Sequence, residues 1–180
     1  MKNLKVFLVV ALLPLFGISQ SIFDKYEDMN KVGSVTVNKS LIRLAGNIAA
    51  FDKDDQDAQD FAEISQGLDG IKVFITEDVA ISEDMAATVK KYLKSSKLEE
   101  LMRVKDKDAN VKFYIKHGKD DDHVSELLLF VSDIDHNGFG PKNRKFESVL
   151  VSMTGDIDLN KIGALTKKMN LPKELNEAGK

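Results

Sequence analysis

Four extended segments follow one another in the second half of the chain, and they constrain its fold more than any other feature. They cover residues 101–105, 111–116, 126–131 and 146–154. In the second segment apolar residues alternate with polar or amphipathic ones, as in a strand with one buried side. The third is almost entirely apolar, which is typical of a central strand. Because short connections join antiparallel neighbours, these segments predict an antiparallel sheet.

The first half of the chain mixes helices with two further strands. Short segments rich in β-branched or aromatic residues predict strands at 34–38 and 71–76. Apolar spacing predicts helices at 22–30, 41–49 and 58–65, a helix after Ser82 that includes residues 85–93, and a final helix after residue 158. This order predicts an α+β fold, a two-layer sandwich in which a largely antiparallel sheet carries helices mainly on one face.

Side-chain chemistry also predicts where these elements begin and which sides they bury. N-caps are predicted at Ser40, Ser82 and Asp158. The apolar sides of two helices are marked by Leu41, Leu44 and Ile48 and by Met85, Val89 and Leu93, and the helix at 58–65 is expected to bury Phe61 and Ile64. Glycines at 67 and 70 predict a turn, and Gly155 predicts a positive φ where the last strand ends.

The N-terminus has the three parts of a secretory signal peptide. Two lysines precede an apolar run over residues 6–16, and small residues follow it. The run is interrupted by a proline and is shorter than the ~20 apolar residues that span a bilayer. The sequence therefore predicts cleavage after Ser19 or Gln20, and a periplasmic or secreted product with no stable membrane anchor.

Length, cysteine content and net charge limit the domain organisation and the kinds of chemistry that this chain can have. We expect a leader over 1–20, a single α+β domain over 21–170 and a flexible tail over 171–180. The chain has no cysteine, which excludes a lipid-bearing cysteine, disulfides and thiolate catalysis. Loss of the two leader lysines would change the formal net charge from −3 to −5. That charge argues against binding of nucleic acid or anionic lipid through bulk electrostatics.

Four segments of the chain resemble a known bacterial family. They are FDKY at 23–26, GIKV at 70–73, ELMRVKD at 100–106 and SVLVSMTGDIDL at 148–159. Together, and in this order, they resemble the small exported proteins grouped as domain of unknown function 4252. The resemblance implies an envelope protein of a Gram-negative bacterium, and it implies no particular activity. Some relatives appear as lipoproteins, and the missing cysteine departs from that pattern.

Two acidic segments have some of the features of a calcium loop. Asp133-Ile134-Asp135-His136-Asn137-Gly138 has the spacing with which a calcium loop begins, because alternate oxygens converge on one cation. Position twelve is Arg144 instead of a glutamate, and the flanks are predicted strands, so a polar hairpin loop is the alternative. The second segment, 52–63, places Asp57 where the loop needs glycine, and it is better explained as an acidic helix start.

The remaining polar residues define no catalytic motif. His117, His123 and His136 fall in predicted loops without the spacing of a zinc site. No nucleophile elbow, Ser-x-x-Lys motif or phosphate-binding glycine loop occurs, so no catalytic, cofactor-binding or metal residue is assigned. Cationic side chains concentrate on the polar side of neighbouring strands, at Arg103, Lys105, Lys112 and Lys116 with Tyr114 among them, and at Lys72 on a third strand. This concentration is either a solvated sheet face or a site for an anionic partner.

These observations predict an exported envelope protein with a non-enzymatic binding or envelope-maintenance role, which needs no cofactor and acts on an unidentified protein or envelope partner. Two alternatives stay open. One is an exported hydrolase whose site forms only in three dimensions, and the other is a calcium-stabilised module. An exposed apolar patch on a folded structure would favour the binding domain.

Overall fold

The computed structural model describes residues 22–105, 109–134 and 146–159. An N-terminal segment with a 3₁₀ turn at Asp24–Tyr26 precedes nine longer elements within these ranges. In chain order they are β1 (Val32–Asn38), α1 (Lys39–Ala49), α2 (Gln56–Gly67), β2 (Leu68–Thr76), α3 (Val79–Ser95), β3 (Glu99–Lys105), β4 (Asn110–His117), β5 (His123–Ser132) and β6 (Ser148–Asp158).

The six strands form one sheet in the order β1-β2-β6-β5-β4-β3. Every neighbouring pair is antiparallel, so the predicted α+β fold with an antiparallel sheet is confirmed. The last strand lies in the middle, between β2 and β5, and joins the N-terminal strands to the β3–β5 meander. Apolar residues of β5 lie in register with those of β4 and β6, as Leu129 does with Phe113 and Val151.

Both faces of the sheet carry apolar clusters. Successive side chains of a strand point to opposite faces. Leu127 and Leu129 of β5 therefore pack in the cluster that includes Ile42 of α1 and Ile64 of α2, here called the α1–α2 face. Leu128 packs on the other side with Met85 and Val89 of α3 and with the N-terminal segment, here called the α3 face. Two of the three helices thus share a face, as predicted.

The helices begin earlier than their predicted caps. Asn38 caps α1 by accepting a hydrogen bond from the Leu41 N–H at 3.0 Å, and Asp78 caps α3 by accepting from Ala80 and Ile81 at 3.0 and 3.2 Å. The predicted caps, Ser40 and Ser82, are wrong because both lie inside the first turn of their helices. A cap must precede the first helical residue to reach the unpaired N–H groups.

The predicted turn at glycines 67 and 70 is also wrong. Helix α2 ends at Gly67 and β2 begins at the next residue, where Gly70 pairs with Asn38 on one side and Thr154 on the other. The pairing of β2 with β6 is irregular between Leu68 and Gly70, opposite Gly155. Gly155 has a φ of +140°, which confirms the predicted positive φ. It lies inside β6, however, because the strand continues past it to Asp158.

The predictions for the two ends of the chain concern residues beyond the described ranges. Asp158 is the last residue of β6 and pairs with His123, while the N–H of Leu159 donates to the Asp122 carbonyl at 2.9 Å. The helix predicted after Asp158, the tail and the leader lie outside the described residues.

In α2, Ile64 is 4% exposed as predicted, whereas Phe61 is only partly buried.

Candidate functional site

The acidic segments do not form a cation site in the described chain. Asp133 has a φ of 55°, and its Oδ2 accepts from Asn110 at 3.4 Å, while residues 135–138 of the first segment lie outside the described chain. In the second segment Asp55 caps α2 by accepting from the Ala58 N–H at 3.1 Å, as an acidic helix start requires. Among the described residues, no group of three or more His, Asp or Glu side chains could hold a metal ion.

The two described histidines each contact a different carboxylate. His117 lies 3.2 Å from Glu99 on the neighbouring strand, and His123 lies 2.6 Å from Asp120 in the β4–β5 connection. The hydrogen bond from His123 is the main cause that lowers the pKa of Asp120. These are separate local pairs, and His136 lies outside the described residues. The two described histidines therefore do not converge on one site.

Lys72 does not belong to the cationic patch expected from the sequence. It lies on β2, which β6 and β5 separate from β4, and its ammonium group binds Asp24 and, at 2.8 Å, Glu27 of the N-terminal segment. Burial acts to lower the pKa of Lys72, but the hydrogen bonds with Asp24 and Glu27 outweigh it and raise the pKa. A lysine kept protonated cannot serve as a base for Ser152, its cross-strand neighbour. Lys72 therefore anchors the N-terminal segment to the sheet.

Of the other cations of the patch, Arg103 and Lys112 are direct neighbours, whereas Lys105 lies opposite Asn110 and Lys116 opposite Glu126. On the α3 face, Arg103 of β3 is in register with Lys112 of β4 and Phe130 of β5, and Tyr114 lies two residues further along β4. These residues line an open groove of about 450 Å³ beside α3. We call it the α3 groove, and its lining is Ala86, Ala87, Val89, Lys90, Leu93, Glu100, Arg103, Lys112, Tyr114 and Phe130.

A stripe of large apolar side chains runs along the exposed side of α1. Leu41, Leu44 and Ile48 are 53%, 55% and 62% exposed, and Phe51, just after the helix, is 84% exposed. They recur at three-, four- and three-residue intervals, which places them on one side of a helix. We call these four residues the α1 apolar stripe. The sequence marked the same side as apolar, but the buried positions of α1 are Ile42 and Gly46.

The α1 apolar stripe faces away from α2. Gly46 lies so close to α2 that a Cβ atom on it would be 1.7 Å from the Ser65 Oγ. Arg43, on the same flank, donates to the Gln66 carbonyl at 3.4 Å. Leu44 and Ile48 lie on the opposite flank by helical periodicity. Val35 of the edge strand β1 is also exposed, at 55%. The chain thus presents apolar side chains from both α1 and the sheet edge.

The fold and these surfaces define an α+β protein that exposes one side of an amphipathic helix. No helix in the described part of the chain is long and apolar enough to cross a membrane. The chain belongs to the family described as domain of unknown function (DUF4252), whose model matches residues 26–165, and the resemblance found in the sequence is thereby confirmed. No curated protein and no solved structure shows significant similarity to the chain.

Proposed function

We propose that this protein is an exported, non-enzymatic binding domain that docks on a protein partner through the α1 apolar stripe. The observation that carries the proposal is the exposure of three large apolar side chains on one side of α1 and of Phe51 just after the helix. Single exposed apolar residues are ordinary on protein surfaces, whereas a contiguous apolar patch marks an interaction site.

The spacing of the stripe matches a known way of docking. An amphipathic helix that binds in a groove uses anchors at positions i, i+3 and i+7, which here are Leu41, Leu44 and Ile48. Each such side chain contributes about 1.5–3 kcal/mol when it moves from water to a fully apolar environment. The fold by itself gains only part of this energy, because the three side chains stay 53–62% exposed. A partner that covers the stripe would gain the rest.

Charge favours a protein partner over a membrane. Helices that lie on membranes are rich in Lys and Arg on their polar side. The polar side of α1 has only Lys39 and Arg43, and Lys39 is paired with Asp69 at 2.6 Å. The four residues after Phe51 are three aspartates and one lysine, Asp52-Lys53-Asp54-Asp55, with a net negative charge. Anionic lipid would repel them.

The decisive experiment places a photo-crosslinking amino acid at Leu44 in cells that produce the protein naturally. We expect a discrete adduct, whose partner is identified by mass spectrometry and then purified for binding measurements. The double variant Leu41→Gln/Ile48→Gln should lose the adduct and weaken binding to the purified partner at least about tenfold, or ~1.4 kcal/mol. Neither residue is part of the apolar clusters of the sheet, so the variant should keep its thermal stability.

Matched controls separate the stripe from apolar exposure in general. Val79 begins α3 and is 58% exposed, so a crosslinker there should give no such adduct and Val79→Gln should leave binding unchanged. An adduct of the protein with itself would replace the partner by a second copy. Flotation of the parent, but not of the double variant, with anionic vesicles would show a membrane surface instead. Either outcome overturns the proposal.

Export is the second part of the proposal, and it rests on the leader-like residues 1–20. Mass spectrometry of the protein isolated from its natural cells should find a mature N-terminus at Gln20 or Ser21, in an envelope or secreted fraction. A folded cytoplasmic pool that retains Met1 would contradict it.

A further inference from the structure

The α3 groove combines an apolar floor with a cationic rim. Helix α3 lies over β2, β6 and β5, and strands β4 and β3 extend beyond it. Phe130 and Tyr114 form the floor and are 2% and 6% exposed. Val89 and Leu93, one helical turn apart, supply the helical wall, and the small side chains of Ala86 and Ala87 leave the groove open.

Three cations and one carboxylate line the rim. Glu100 is paired with Arg103 at 2.6 Å. Lys112 and Lys90 have no ion pair with any residue in the described ranges. Two positive charges are thus left unbalanced in a protein whose formal net charge is −3. Low-dielectric walls strengthen the attraction between such charges and an anion.

Tyr114 adds a hydrogen-bond donor at the same place. Its residue is 6% exposed, and its hydroxyl forms no hydrogen bond within the part of the chain that the structure describes. Burial raises the pKa of the phenol, and the nearby charge of Glu100 adds to that effect while Arg103 opposes it. The hydroxyl therefore stays protonated and can donate to a ligand. The hydroxyl oxygen is not fully buried, so a ligand in the groove can reach it.

We propose that the α3 groove binds an amphipathic organic carboxylate, with its head between Lys112, Lys90 and the Tyr114 hydroxyl, and its apolar chain along Leu93, Val89 and Phe130. The volume of about 450 Å³ falls within the roughly 300–1,000 Å³ of ligand clefts. Arg103 of the same rim already binds a carboxylate, that of Glu100, at 2.6 Å. The proposal is independent of docking at the α1 apolar stripe, which lies on the other side of the sheet.

Decanoate, kept below its micelle concentration, is the test ligand, and calorimetry with amide NMR shifts is the measurement. We expect saturable binding with shifts at Leu93, Lys112 and Tyr114. Acetate, which has the head alone, and decyltrimethylammonium, which has the chain and the opposite charge, should bind at least about tenfold more weakly. Decyl phosphate is included because phosphate is also an anion. Tighter binding of decyl phosphate than of decanoate would overturn the assignment to a carboxylate.

Variants locate the site. Lys112→Gln and Lys90→Gln should each weaken decanoate binding about tenfold, because each removes a charge-assisted hydrogen bond. Tyr114→Phe keeps the buried ring and should weaken it about threefold to tenfold. Lys91→Gln, also exposed on α3 but outside the groove, should have no effect. Equal affinity in Lys90→Gln and Lys91→Gln, or shifts centred on α1, would overturn the proposal.

Discussion

The hydroxyl of Tyr92 on α3 donates to both carboxylate oxygens of Glu126 on β5, at 2.9 Å to Oε1 and 2.8 Å to Oε2. Glu126 is only 8% exposed. The ring of Tyr92 also meets Phe23 edge-on, with ring centres 5.1 Å apart. One side chain thus connects the N-terminal segment, α3 and the sheet.

Glu126 should make the fold weaken as pH rises. Burial raises its pKa above the ordinary 4.5, and the hydrogen bond from Tyr92 and the charge of Lys116 offset this only in part. A carboxyl whose pKa is higher in the folded state binds more protons there, so the free energy of unfolding falls from pH 4.5 up to the raised pKa. The variant Glu126→Gln does not lose stability in this way, because glutamine does not ionise.

We therefore expect the stability of Glu126→Gln, relative to the parent, to increase as pH rises from 4.5 to the raised pKa of Glu126 and to stay constant above it, as urea unfolding at a series of pH values would measure. Glu77→Gln changes an exposed carboxyl near the start of α3 and serves as the control. A relative stability of Glu126→Gln that stays constant with pH would contradict the burial of a charged Glu126.

Lys72→Met should loosen the N-terminal segment. Asp24 and Glu27 would be left facing each other at 21% and 34% exposure, and the free energy of unfolding should fall by about 1–3 kcal/mol. The hydrogen bond from Lys72 lowers the pKa of Glu27. The pair therefore stabilises the fold above pH 4.5, and this stabilisation is lost as the pH falls through the lowered pKa of Glu27. The difference from the parent should therefore shrink in acid. Lys39→Met, which breaks an exposed pair with Asp69, should cost no more than about 0.5–1 kcal/mol. Equal costs for the two variants would be inconsistent with an anchoring role for Lys72.

Gly46→Ala tests the close packing of α1 on α2. Alanine normally stabilises a helix by up to about 1 kcal/mol relative to glycine. Here its Cβ would lie 2.6 Å from the Ser65 Cβ, which no rotation of Ser65 can relieve. We expect a net loss of about 1–3 kcal/mol in thermal or urea unfolding. Gly33→Ala is the control, because its Cβ would lie no closer than 3.8 Å to its nearest neighbour, the Ile75 carbonyl oxygen. A stabilised Gly46→Ala would mean that the two helices lie further apart.

Leu129→Ala should leave a cavity in the middle of the sheet. The residue is 1% exposed and is flanked by Phe113 and Val151 on the adjacent strands. The expected loss is about 2–5 kcal/mol in equilibrium unfolding. Leu101→Ala on the edge strand β3, where the side chain is 42% exposed, should cost less than about 1 kcal/mol. Similar losses at both positions would show that β5 is not central.

Strands were predictable because their side-chain pattern reports burial directly. The alternation of Val111, Phe113 and Ile115 indicates β4, and the unbroken apolar run from 127 to 131 indicates a strand covered on both faces. The strand order was not predictable in this way. The place of β6 between β2 and β5 depends on pairings between distant residues, such as Val73 with Val151, and a local pattern contains no information about them.

The surface of α1 was harder to predict for a related reason. Leu41, Leu44 and Ile48 have the spacing of a buried side, and a side that docks on a partner has the same spacing as one that packs on a core. Helix α1 packs most closely on α2 at Gly46, and a glycine has no apolar side chain from which the sequence could predict a buried position. Similarly, the charge of Lys72 suggested an open cationic face, because its partners Asp24 and Glu27 are more than forty residues away in sequence.

The central place of β6 gives the chain a particular order of assembly. As the polypeptide emerges from its N-terminus, β1 and β2 can pair, and β3, β4 and β5 can form their meander, before β6 exists. Until then β2 and β5 each present a row of unpaired N–H and C=O groups, with complementary apolar side chains beside them. In a polypeptide that crosses a membrane unfolded, the edges of β2 and β5 would stay unpaired until residues 148–158 have also crossed. A molecule truncated before Ser148 would keep them permanently and would recruit strands from its neighbours, so aggregation rather than simple loss of function would be its characteristic defect.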